Sequence, residues 1–194
     1  MTMTSIKTTT DTDVPRAIAV MVLAFSADPL IRWIYPEPHA YLTCFPNFVR
    51  KFAGKAFEKK TLYHMDGFTG AALWRSPGVE PDKKEIVTLL QRTVPKSLQN
   101  EVFNLFGQAS DYRPNDPYWH LSLIGVETHQ RYRGLGSALM KHGLMACDRD
   151  RKLAYLNASN PETIPFYEQH GFEVLDTIRF GSSPSLVPML RKPQ

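Results

Sequence analysis

The sequence predicts a mixed α/β fold in a single domain, on three observations. The chain has 194 residues, a length that one domain accommodates. Apolar residues make up 43% and charged residues 22%, enough core-forming side chains to fold without a disulfide or metal staple, which excludes disorder as the main state. Strand and helix patterns alternate along the chain, with a β-loop-α-β-α-β order in the C-terminal half.

Each element has a local reason. Ser5 to Thr9 reads as a short strand, and Asp13 stands as a cap for a helix over Val14 to Phe25, with Pro15 tolerated in the first turn. Ala40 to Ala56 reads as a second helix. Leu62 to Met65 and Phe68 to Arg75 read as two strands joined at Asp66-Gly67, a strong hairpin signal, and Ser76-Pro77-Gly78 stops the second. Helical spacing over Asp82 to Gly107 breaks at Val94-Pro95, which predicts two helices. Trp119 to Val126 is apolar on both faces, the mark of a buried central strand. A helix over Gly134 to Arg151, a strand over Leu153 to Ala158 and a short helix over Thr163 to His170 follow. Phe172 to Phe180 and Leu186 to Leu190 close the fold as strands.

Lys plus Arg is 23 against 19 for Asp plus Glu, a net charge of +4 that suits an anionic small ligand. No basic stripe interleaved with aromatics supports a nucleic-acid partner. The two cysteines, Cys44 and Cys147, have no metal or redox spacing, and the histidines His64, His129 and His142 share none, so no metal is expected. The apolar run Ala17 to Phe25 is too short to span a bilayer, and Asp11 and Asp13 precede it, so no membrane or targeting segment is expected and a cytoplasmic location is.

The chemical signal lies in Arg131-Tyr132-Arg133-Gly134-Leu135-Gly136-Ser137, between a strand and a helix. Two glycines at such a turn let backbone N–H groups approach a ligand, the helix N-terminus adds its positive dipole end, and Arg131 and Arg133 add full charge. That chemistry fits a pyrophosphate. No Gly-Lys-Ser/Thr follows, so it is not a Walker loop, and two glycines do not make a dinucleotide fingerprint.

Read together, Leu123-Ile124-Gly125-Val126, Arg131 to Gly136, and Phe166-Tyr167 with Gly171-Phe172 resemble the GNAT superfamily of N-acetyltransferases, over roughly residues 119 to 175. Within it, Trp119, Gly134 to Ala138, Pro165 to Glu168 and Met189 to Pro193 look like the puromycin N-acetyltransferase branch, from which Asn157 and Thr163 depart. The resemblance implies a single acyl-CoA N-acyltransferase domain over 1–194, with a mostly antiparallel sheet, helices on both faces and a splayed parallel strand pair. Residues 118–180 would form the acetyl-CoA-binding and catalytic core. Residues 1–117, with a helical insertion at 82–107, would shape the acceptor site.

By that resemblance, acetyl-CoA is the co-substrate. Its pantetheine would pair with Ile124, Gly125 and Val126, and its pyrophosphate would sit on Arg131, Tyr132, Arg133, Gly134, Leu135, Gly136 and Ser137. Asn157, Asn160 or Thr163 would bond the pantetheine from the far side. The acceptor would be a primary amine of a small molecule, attacking directly in a ternary complex, in a monomer or homodimer. Tyr167 is the expected proton donor to the departing thiolate, because a phenol stays protonated near neutrality. His120, six residues before Val126, is the expected acceptor of the amine proton. The alternative is a non-catalytic acyl-CoA-binding sensor.

Overall fold

The computed structural model describes residues 5–53 and 56–194. One seven-stranded sheet organises them, in the order β1-β2-β3-β4-β5-β7-β6. Its strands are β1 (Ile6–Thr8), β2 (Leu62–Met65), β3 (Gly70–Arg75), β4 (Trp119–Val126), β5 (Ala154–Ala158), β6 (Glu173–Val174) and β7 (Val187–Arg191). Every neighbouring pair is antiparallel except β4 and β5. The mixed, mostly antiparallel α/β sheet expected from the sequence is therefore present.

Helices cover both faces. On one lie α1 (Val14–Ala24), α2 (Pro29–Ile34), α3 (Pro38–Ala53), α4 (Lys83–Thr93) and α5 (Lys96–Asp111), closing a core with Ala71, Leu73 and Leu123 of the sheet. On the other lie α6 (Leu135–Arg149) and α7 (Ile164–Glu168), over Ala72, Trp74, Trp119 and Leu121. The alternation Ala71/Leu73 against Ala72/Trp74 shows why β3 is apolar throughout: both faces are covered.

Several sequence expectations shift for local reasons. Asp13 precedes α1, but its carboxylate accepts from the N–H and hydroxyl of Thr10, so it orders the preceding turn rather than the helix end. The helix α2 was not foreseen, although Asp28-Pro29 is its signature: Asp28 caps it by accepting from the Ile31 N–H at 2.9 Å, and Pro29 opens it. The β2–β3 connection is one short helical turn, Asp66–Phe68, with Gly67 at φ 78°. The split at Val94-Pro95 falls as expected, and Asp82 caps α4 through the N–H groups of Lys84 and Glu85. The strand expected over Phe172 to Phe180 shortens to β6, followed by an isolated bridge between Ile178 and Leu186.

Two features of β4 shape the site. It pairs with β5 only at Trp119–Ala154 and His120–Tyr155, after which the strands part. It also carries a β-bulge: Trp74 faces Leu121 and Leu73 faces Leu123, leaving Ser122 as the extra residue. Strand alternation places Ile124 on the face of His120 and Ser122. The bulge overturns that, and Ile124 packs with Val126 against the α6 core, while Leu123 joins the opposite one.

Candidate active site

A cavity of about 360 Å³ opens where β4 and β5 part. Leu121 to Ile124 form one wall, and Leu156, Asn157, Ser159 and Tyr167 form the other. Aromatic and aliphatic side chains of α3, α4 and α5 roof it, among them Phe48, Phe52, Leu90, Phe103 and Phe106. Of the residues expected from the sequence, His120, Ile124, Asn157 and Tyr167 meet here. Beyond His120, the edge of β4 that faces β5 has no strand partner, which leaves backbone groups for an extended ligand to pair with.

The glycine loop lies at the far end of β4. Gly134 caps α6 with φ 80°, a conformation costly for any residue with a Cβ. Gly136 packs against Phe166 and Val126, which puts the start of α6 beside the end of β4 and beside α7. The first-turn N–H groups of α6 are those that helix geometry leaves without a partner. Tyr132 is fully exposed at φ 61°. Arg131 donates from Nη2 to the Ala24 carbonyl at 3.0 Å, at the C-terminal end of α1, and Arg133 donates from Nη1 to Gln130 Oε1 at 2.7 Å.

Other expected ligand contacts are engaged within the protein. The Ser137 hydroxyl lies 2.8 Å from His170 Nε2, and His170 Nδ1 lies 2.7 Å from the Phe166 carbonyl. A carbonyl only accepts, so Nδ1 carries the proton and Ser137 donates to Nε2. Asn160 caps a short turn by accepting from the Glu162 N–H at 3.0 Å, and the Thr163 hydroxyl donates to the Asn160 carbonyl at 2.6 Å. The Tyr155 hydroxyl lies 3.0 Å from the Ala109 carbonyl and 2.9 Å from the side-chain amide of Asn157, and Asn157 lines the cavity. Gly125 has a packing reason: a Cβ there would come 2.5 Å from the Cβ of Ala24, so its absence lets α1 lie on β4.

Tyr167 packs its ring on Phe166 and Phe172, with centroids 5.3 and 6.2 Å away. Burial pushes its hydroxyl up to about 12, partly offset by a hydrogen bond with Thr163, while nearby Asp28 pushes the same way as burial. The phenol therefore stays protonated throughout the neutral range, and Tyr167 lines the cavity.

His120 differs from expectation. It is buried, and Arg75, only 1% exposed, reaches it from β3: Arg75 Nη2 bonds His120 Nδ1, and Arg75 Nε donates to Ser122 Oγ at 2.9 Å. A guanidinium only donates, so His120 accepts at Nδ1 and bears its proton on Nε2. Burial, then Arg75 and Arg113, hold the imidazole well below its ordinary value. The ring is thus neutral with its Nδ1 lone pair taken by Arg75, and it lines the cavity. Sequence reading passed over Arg75, Arg113 and Ser122: no motif marks them, and only the pairing of β3 with β4 brings Arg75 to His120.

Among the described residues, no helix is long and apolar enough to cross a membrane, and no group of three or more His, Cys, Asp or Glu is placed to hold a metal.

The overall fold of this sheet and its helices is shared with solved acetyltransferases. Residues 99–174 match the family model of the acetyltransferase (GNAT) domain. An uncharacterized N-acetyltransferase, C550.08, of Schizosaccharomyces pombe is 24% identical over 205 residues, covering 94% of this chain and 81% of that protein. Among solved structures, a histone acetyltransferase HPA2 and related acetyltransferase from Corynebacterium glutamicum superposes with a TM-score of 0.69 at 22% identity, over 98% of this chain and 97% of that one. Arylalkylamine N-acetyltransferase 2 from Aedes aegypti gives 0.70 at 14% identity, over 98% and 99%. An N-acetyltransferase from Thermoplasma acidophilum, PaiA, solved in complex with coenzyme A, gives 0.55 at 11% identity, over 97% and 98%. The solved structures establish the fold, and the family model matches the stretch from α5 through β6, less than half of the chain. They bear on the superfamily resemblance and not on the puromycin branch.

Proposed function

We propose that this protein transfers the acetyl group of acetyl-CoA to a primary amine of a small molecule, by direct attack in a ternary complex. The observation that carries the reading is Tyr167, a protonated phenol lining a cavity that opens where β4 and β5 part. The pantetheine arm runs along the free edge of β4 near Ile124, Gly125 and Val126, with Asn157 opposite. The pyrophosphate rests on the first turn of α6 and on the arginines beside Gly134. Residues 118–180 thus serve the cofactor, while α3, α4 and α5 of the N-terminal part wall the acceptor side.

In the reaction, the neutral amine attacks the thioester carbonyl carbon. The C–S bond then breaks, and the thiolate takes a hydrogen bond or a proton from the Tyr167 hydroxyl. The amine's proton leaves to water, since Arg75 occupies the His120 lone pair. The puromycin branch forms no part of the proposal, because Asn157 and Thr163 depart from it.

The test is an amine library offered with acetyl-CoA, read by release of free thiol. Amine-dependent release is expected. Tight acetyl-CoA binding with no release on any amine class would make the protein a sensor and overturn the reading.

A further inference from the structure

The ionisable side chains that line the cavity are one-sided. Lys83 and Arg113 line it beside the neutral His120, and none of the described lining residues is Asp or Glu. The nearest buried carboxylate, Asp28, stands behind Ser159 and accepts from its hydroxyl at 2.6 Å. Arg75 stands directly behind His120 and Ser122, holding both. The one carboxylate in this cluster is Glu80, half-exposed and outside the lining. Its Oε2 lies 3.6 Å from Arg75 Nη1 and 3.5 Å from Arg113 Nη1, so two guanidiniums share a single distant oxygen.

Three buried donors in the same cluster have no hydrogen-bond partner: Arg75 Nη1, Arg113 Nε and the Tyr118 hydroxyl. Buried polar groups are nearly always bonded, so three together beside a cavity need an explanation. Arg113 lines the cavity while Arg75 and Tyr118 lie behind its wall, so an anionic group held against Arg113 would be matched by that guanidinium, with the buried positive charge of Arg75 behind it. The rest of the cavity is apolar, with Phe48, Phe52, Phe103 and Phe106 around it. At about 360 Å³ it lies at the small end of ligand pockets, which run roughly 300–1,000 Å³.

Resting on the acetyl-transfer reading, we infer that the acceptor is an apolar amine that also carries a carboxylate, a hydrophobic or aromatic amino acid being the simplest, with its carboxylate held at Arg113 beside the His120–Ser122 wall. The rings of α3 and α5 take its side chain. A polyamine is disfavoured on the same grounds, because its second cation would meet Arg113 and Lys83 with no carboxylate among the lining residues.

The test compares amine pairs that differ only in the carboxylate: L-phenylalanine with phenethylamine, and L-leucine with isoamylamine. The readout is kcat/KM for thiol release from acetyl-CoA, with calorimetry of acetyl-CoA binding alongside. The acid of each pair is expected to be favoured by tenfold or more. In Arg113→Gln that preference should fall by about tenfold to a hundredfold, the range of a hydrogen bond to a charged group, while acetyl-CoA binding reports that the variant is folded. Equal or better use of the decarboxylated amines overturns the inference, as does an unchanged preference in Arg113→Gln. Acetyl-CoA binding with no turnover of either acid overturns it alone. Failure of the wild-type protein to bind acetyl-CoA removes the acetyl-transfer reading and this inference with it.

Discussion

Replacing Tyr167 by Phe removes one hydroxyl and leaves the ring on Phe166 and Phe172. Burial holds that hydroxyl at about 12, whereas a free thiol titrates near ~8.5. Complete proton transfer from phenol to departing thiolate is thus uphill by roughly 3.5 pKa units, about 5 kcal/mol at 1.36 kcal/mol per unit. On the proposed reaction, Tyr167 would therefore act chiefly by donating a hydrogen bond to the thiolate as charge develops. A hydrogen bond to a charged group is worth about 1.5–3 kcal/mol, so kcat should fall roughly ten- to 150-fold. Acetyl-CoA affinity should hold, since the ground-state thioester sulfur is uncharged. Lost bonding toward Thr163 costs stability only about 1 kcal/mol. The assay is single-turnover thiol release with a saturating acceptor, so that product release does not mask the chemical step. A second arm uses an acetyl thioester of a more acidic thiol, which needs less help and should shrink the defect. Turnover within twofold of wild type in the first arm, or a defect of equal size in the second, would refute the reasoning.

Three further outcomes are expected. Gly134→Ala forces a Cβ into φ 80°, at about 1–2 kcal/mol; the melting temperature should drop by a few degrees and acetyl-CoA should bind more weakly in calorimetry, and no change in both would show that the cap is unstrained. Gly125→Ala drives a methyl to 2.5 Å from the Cβ of Ala24, so α1 must shift; urea unfolding should show a loss of about 1–3 kcal/mol, and wild-type stability would mean that α1 is not seated on β4. His120 is held neutral in the fold, while in the unfolded chain it binds a proton below about pH 6.5. The unfolded state then holds more protons, so this contribution to stability is present above that pH and lost as pH falls, by at most about 1.4 kcal/mol per pH unit. His120→Gln should remove that slope between pH 6.5 and 5 in unfolding titrations, and an unchanged slope would place the burial elsewhere.

Local signals in the sequence determined most of the elements. The apolar run Trp119–Val126, the Asp82 cap, the Val94-Pro95 break and Gly134 before α6 act within a few residues, so strand, helix boundaries and loop were legible without the fold. Tyr167 was legible as well, because its place follows from a short motif in chain order, and the structure sets it in the cavity wall. Asp28-Pro29 carried the signature of α2 equally plainly, as a capping carboxylate followed by proline at the first helical position.

What only the tertiary structure decided depends on contacts between distant segments. The bulge at Ser122 arises from pairing between β3 and β4, and by adding one residue it sends Ile124 to the face opposite that expected from alternation. Ser137, Asn160 and Thr163 stand at motif positions, yet their hydroxyls and amide oxygen are spent on His170 and on a local turn. The role of His120 turns on Arg75, 45 residues earlier. A histidine's protonation follows from what surrounds it, and burial beside a guanidinium that only donates holds this one neutral with its Nδ1 occupied.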